Sequence, residues 1–223
     1  MYLSAFGSQH EAEIRAVETF GSFTNIFPDQ ANFPVLSCEP YEVVGMQLQD
    51  VVWESLKGVG FEHLVLKKAG ENIFADSLLV YPDSSGKLQR IKYSITMDDS
   101  YSVQNFHVQS LTHPNQKVGV SDLIDSLFVD IFPSPFTNTL PIQWMRSQFL
   151  QVYEIEVTWV DALQFKTKKA SQRYTELKNT PEQSVYRFES IDAKTKEVHF
   201  SADLTVDKDC LVLEYPGYFR RRL

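Results

Sequence analysis

Cysteine is scarce in this chain: Cys38 and Cys210 are the two thiols among 223 residues. Two cysteines so far apart make neither a disulfide framework nor a Cys-only zinc site, although a single Cys38–Cys210 bridge stays open. Glycine is also sparse, at nine residues. The sequence contains no G-x-S-x-G, G-x-x-x-x-G-K-[ST], G-x-G-x-x-G or H-E-x-x-H. A nucleophile elbow, a phosphate loop, a dinucleotide loop and a zincin helix are therefore absent as sequence signals. Neither a cofactor nor a metal is expected. No apolar run approaches the roughly 18 residues of a membrane-spanning helix. The start, Met1-Tyr2-Leu3-Ser4-Ala5-Phe6, has no basic region leading into an apolar stretch, as a secretion signal requires. The expectation is a cytoplasmic protein with reduced thiols. Positive charge is in deficit too, with 21 Lys and Arg against 29 Asp and Glu, a net charge of −8. That balance argues against non-specific nucleic-acid binding.

Aromatic residues, by contrast, are abundant. Sixteen Phe, ten Tyr and three Trp make 13 % of the chain, and such side chains suit pleated surfaces and bulky cavity walls. A chain of this length buries roughly 70 % of its unfolded surface, enough for a core without staples.

Ser8-Gln9-His10-Glu11 reads as a capping box. Ile14, Val17 and Phe20 follow at helical spacing, so a short N-terminal helix ending near Gly21 is expected. Pro28, Pro34 and Pro40 then imply a looping segment. Beyond it the period changes to two. Residues 73–81 and 88–95 flank the turn cluster Pro82-Asp83-Ser84-Ser85-Gly86 and read as a hairpin with Ile91, Tyr93 and Ile95 inward. Asp98-Asp99-Ser100 marks a turn before a strand over 101–110. Two further strands alternate strictly. Tyr153, Ile155, Val157 and Trp159 share one face, and so do Val198, Phe200, Ala202, Leu204 and Val206. Short turns between strands favour an antiparallel meander over βαβ units.

Two segments stand apart. Residues 131–142 carry Pro133, Pro135 and Pro141 around Thr137-Asn138-Thr139. Proline excludes a central strand throughout, so a rigid, extended or bent crossing is expected. Its polar residues suit either the capping of backbone groups or the lining of a site for a sugar or headgroup. The end of the chain, Leu211 to Arg222, places Tyr215-Pro216-Gly217-Tyr218 as a type II turn before three arginines. Arg220 or Arg221 can meet a carboxylate or grip an anion.

These segments resemble the bacterial family described as "putative glycolipid-binding". The resemblance runs through Trp53-Glu54-Ser55-Leu56 with Gly60-Phe61-Glu62-His63-Leu64, then Ser134 to Ile142, Ser171-Gln172-Arg173-Tyr174-Thr175, and Leu211 to Arg221. It implies a mainly β fold: a large curved antiparallel sheet, a half-open barrel, with one or two helices including the N-terminal one. It also implies a concave face like that of bacterial lipoprotein carriers, which holds acyl chains. This chain departs from the family pattern at Gln143-Trp144, where two arginines are usual, and it is shorter over 110–121. Residues 1–47 have no counterpart.

The expected division is an acidic extension over 1–47 and a β domain over 48–223. The extension holds Glu11, Glu13, Glu18, Asp29, Glu39 and Glu42 against Arg15 alone, a net −5, leaving −3 for the domain. The expected function is binding of a lipid, glycolipid or similar amphipathic molecule on the concave face, without catalysis. Thr137, Asn138, Thr139, Gln143, Trp144, Tyr215 and Arg220 are the candidate ligand-binding residues. Two alternatives stand beside it. One is a protein-interaction module using the acidic extension. The other is a small hydrolase or isomerase using His63, Asp130 or His199 as acid–base groups.

Overall fold

The computed structural model describes residues 46–124 and 126–222. The expected N-terminal helix and most of the acidic extension lie outside the described residues.

Thirteen strands form one sheet that does not close into a barrel. Five come from the first half: β1 (Met46–Ser55), β2 (Phe61–Ala69), β3 (Asn72–Pro82), β4 (Leu88–Met97) and β5 (Val103–Ser110). The short β6 (Lys117–Gly119) ends that side. Then come β7 (Val129–Phe132), helix α1 (Thr139–Ser147), β8 (Val152–Asp161), β9 (Lys166–Asn179), β10 (Gln183–Ile191) and β11 (Val198–Asp207). The chain ends with β12 (Val212–Tyr215) and β13 (Phe219–Arg221). Neighbours run β6-β5-β4-β3-β2-β1-β13-β12-β11-β10-β9-β8-β7.

The hairpins follow from the two-residue period. In β4, Ile91, Tyr93, Ile95 and Met97 are buried while Lys92, Ser94 and Thr96 between them face water or its margin. Asp98 closes the next turn by accepting from the Ser100 and Ser102 amides at 2.9 and 3.0 Å. Gly217 carries φ +74°, as the third position of a type II turn requires, and the Tyr218 amide returns to the Tyr215 carbonyl at 2.9 Å. That turn separates β12 from β13. Strand β13 pairs with both β12 and β1 and so joins the two halves of the sheet. The Trp53 indole crosses that seam and donates to the Val212 carbonyl at 2.6 Å.

The meander expectation fails at one edge. Strand β7 pairs parallel to β8, and α1 makes the crossover between them. Residues 131–142 are thus not an extended crossing throughout. After Phe132 the chain turns into a short 3-10 segment and enters α1 at Thr139. Pro141 does not break the helix because it occupies the first turn, where backbone amides have no intrahelical acceptor. No helix among the described residues is long and apolar enough to cross a membrane.

Candidate functional site

The inner faces of β8 to β12 leave an opening of about 310 Å³ against the segment that follows β7. A single buried water needs roughly 10–15 Å³ on the same measure, so this is space for a ligand-sized group. Each strand contributes through its alternation. Trp159 comes from β8, Lys168, Ala170 and Gln172 from β9, Phe188 and Ser190 from β10, Phe200 from β11 and Tyr215 from β12. Tyr218 in the β12–β13 turn and Phe132 complete the aromatic wall. The rings brace one another: Phe188 and Phe200 lie 6.0 Å apart, Phe200 and Tyr218 5.6 Å, and Tyr215 and Tyr218 5.2 Å.

One end of the cavity is polar. Asp130 accepts from the Gln172 amide at 2.6 Å and from the Thr137 hydroxyl at 3.2 Å. Burial pushes its carboxyl pKa up, against the pull of those two donors. Asn138 accepts from the buried Tyr174 hydroxyl at 3.0 Å, and its own amide donates to the Pro135 carbonyl at 3.2 Å. These contacts fix the polar residues before any ligand arrives.

Behind Ser134 lies a second buried acid. Glu62 is fully buried on β2, and its Oε1 accepts from Ser77 at 2.8 Å, from Ser134 at 3.0 Å and from the Tyr93 hydroxyl. Its Oε2 has no hydrogen-bond partner among the described residues. Burial raises this carboxyl to about 7 in spite of the three donors. Ser134 also lines the cavity, so the network ends at its wall.

Of the seven residues singled out in the sequence, Asn138 and Tyr215 line this cavity. Thr137 stands behind it as the donor to Asp130. The other four make different contacts. The Thr139 hydroxyl donates to the Cys210 carbonyl at 2.9 Å, and the Gln143 amide donates to the Asp209 carbonyl at 2.7 Å. Trp144 stacks on Tyr153 at 4.5 Å, and Arg220 pairs with Glu214 at 3.2 Å. The acid–base trio does not converge. Asp130 is at the cavity, while His63 pairs with Asp50 at 2.7 Å on the partly exposed face of β2 and His199 is exposed. Cys210 is a buried thiol beneath Arg146, and burial lifts it to about 11.

Residues that the sequence reading did not assign carry much of the site. Glu62 falls in phase with Leu64 and Leu66 on the buried side of β2, so a charge at an inward position was the available signal. Gln172, in phase with Tyr174 on β9, gave a related signal, a polar amide at an inward position.

The family model described as "Putative glycolipid-binding" matches residues 50–221, and the chain belongs to that family. The fold is similar to the crystal structure of a DUF1089 family protein from Pseudomonas aeruginosa. The TM-score is 0.56 at 28 % identity, over 74 % of this chain and 93 % of that one. No curated protein matches this chain.

Proposed function

We propose that the protein binds an amphipathic small molecule, its apolar part against the aromatic wall and a polar group at the Asp130–Asn138–Gln172 end. The observation that carries this reading is the 310 Å³ opening itself, walled by aromatic rings yet ending in polar side chains already held by hydrogen bonds. Burial of an alkyl chain there contributes about 0.8 kcal/mol per CH₂, and placed polar groups then select the head. Membership of a family described as glycolipid-binding supports a lipid-like ligand. Asn138 and Tyr215 are the direct contacts in this reading, and Thr137 holds Asp130. The scattered positions of His63 and His199 favour binding over acid–base chemistry at this site.

Organic extraction of the purified full-length chain, followed by mass spectrometry, tests the proposal. A lipid-like molecule in stoichiometric amount is expected. Protein that yields none, and that takes up no amphiphile when offered one, contradicts it.

A further inference from the structure

The cavity opens toward one end of the sheet. The β1–β2, β3–β4, β8–β9, β10–β11 and β12–β13 turns all lie at that end, as the antiparallel pairing and the Ser55–Phe219 register require. Phe132, Lys168, Phe200 and Tyr218 line the opening from strand ends or turns on this edge. Lys168 is exposed there, whereas the Asp130–Gln172 contact lies further in.

The rim is apolar where water meets it. Phe132 lines the cavity and is still 37 % exposed. Val198, the outermost inward residue of β11 before Phe200, is 42 % exposed. On the β1–β2 turn Leu56 is 38 % and Val59 71 % exposed. That turn is fixed against the mouth. The Leu56 amide donates to the Tyr218 carbonyl at 2.7 Å, and the Lys57 ammonium lies 4.0 Å from the centroid of the Tyr218 ring. On its other side, a Cβ at Gly60 would lie 2.8 Å from the Tyr81 ring, whose centroid is 6.3 Å from that of Phe132. An exposed apolar rim continuous with a cavity marks an interaction surface.

Charge separates the two ends of the sheet. At the mouth end Lys57, Lys87, Lys166, Lys168 and Lys194 are in no ion pair among the described residues. Asp83, Asp161 and Asp192 fold back there to accept amides of their own turns, and Lys196 pairs with Glu154. Glu197 is the remaining acid of those turns. The turns at the far end carry Glu71, Asp98, Asp99, Glu182 and Asp209, and their one lysine, Lys208, pairs with Asp209. A chain of net charge −8 thus turns its unpaired turn lysines toward the side on which its cavity opens. Apolar side chains among unpaired lysines are complementary to an anionic lipid surface, where the former enter the acyl boundary and the latter meet headgroup phosphates.

We infer that the mouth end of the sheet docks on an anionic lipid membrane, with Leu56 and Val59 as its apolar contacts and Lys57, Lys166 and Lys168 as cationic ones. No single headgroup has to reach two of these lysines, because a membrane presents many. The purpose of docking rests on the cavity being the ligand site: an amphiphile then passes between bilayer and cavity without crossing water.

Co-sedimentation of the full-length protein with phosphatidylcholine vesicles, with and without about 30 % phosphatidylserine, tests the inference. Binding about tenfold or more tighter to the anionic vesicles is expected, and it should weaken as salt rises from about 50 to about 300 mM. The Lys57→Gln, Val59→Asp double variant should lose about tenfold or more of that binding. In titration calorimetry it should take up octyl glucoside as the wild type does, since neither side chain lines the cavity. Both are exposed, so its thermal melt should match. Phe149→Asp is the far-end control: the ring is 94 % exposed just before β8, and its loss should leave vesicle binding unchanged.

Uptake of octyl glucoside without vesicle binding overturns the docking face and leaves the cavity reading standing. Equal binding to neutral and anionic vesicles overturns it, as does a double variant that binds like the wild type or a Phe149→Asp variant that does not. Self-association without vesicles that the double variant abolishes also overturns it, by giving the rim to a second copy of the chain. Vesicle binding with no uptake of octyl glucoside supports the docking face and overturns the cavity reading.

Discussion

Ser134 and Glu62, seventy-two positions apart in the sequence, meet at 3.0 Å in the buried interior. The contact links the segment after β7 to β2, on the other half of the sheet. It also sets an ionisable group directly behind the cavity wall, with Tyr93 as the titratable neighbour on β4.

The pH dependence of stability follows from that burial. The Glu62 carboxyl is raised from 4.5 to about 7 in the folded chain. Below about pH 4.5 both states hold the proton and the group is neutral in its effect. As pH rises through 4.5 to 7 the unfolded chain ionises first, so stability falls, and above about 7 the loss levels off. At 1.36 kcal/mol per pKa unit the loss is on the order of 3 kcal/mol. Asp130, also raised, adds to the same trend. Melting from pH 5 to 8 is expected to show a falling Tm in the wild type and a smaller fall in Glu62→Gln. Equal slopes would remove Glu62 as the source.

Ala170 sits half-buried on the cavity wall between Lys168 and Gln172. A larger side chain there enters open space instead of packed core. Ala170→Phe is expected to block uptake of an alkyl probe, while Tm stays level or rises by the amount that about 0.5–2 kcal/mol of cavity filling gives. A calorimetric titration beside a thermal melt checks both parts. Unchanged probe affinity would place the ligand elsewhere.

Trp53 is fully buried, and its indole donates to the Val212 carbonyl across β13. Trp53→Phe removes that donor, leaves a buried carbonyl one partner short and opens a small void. A loss of about 2–4 kcal/mol is expected in urea unfolding, with the m-value unchanged. A loss below about 1 kcal/mol would show that the seam does not depend on this bond.

Gly217 at φ +74° admits a side chain only with strain. Gly217→Ala is expected to cost about 1 kcal/mol, read as a lower urea midpoint. Because the turn also carries Tyr218, the same variant should weaken alkyl-probe binding.

Period-two stretches made most strands readable in the sequence. Ile91, Tyr93 and Ile95 are buried as their alternation implied, and Tyr153, Ile155, Val157 and Trp159 do share the inner face. Helix α1 was hidden because Pro133, Pro135 and Pro141 read as extension, while its first turn tolerates Pro141 without a lost bond. The parallel β7–β8 pair was hidden for another reason, since strand partners are chosen by long-range packing that local spacing does not encode. Within the site, Asn138 and Tyr215 were legible from short motifs. The wall was not, because Trp159, Phe188 and Phe200 come from three separate strands and converge only in the folded sheet.

Native mass spectrometry of the wild type and Ala170→Phe, purified side by side, tests the central claim most directly. The account predicts a stoichiometric amphiphile bound to the wild-type chain and lost from the filled variant. A wild type that remains ligand-free even after incubation with octyl glucoside, or the same adduct on both proteins, would contradict it.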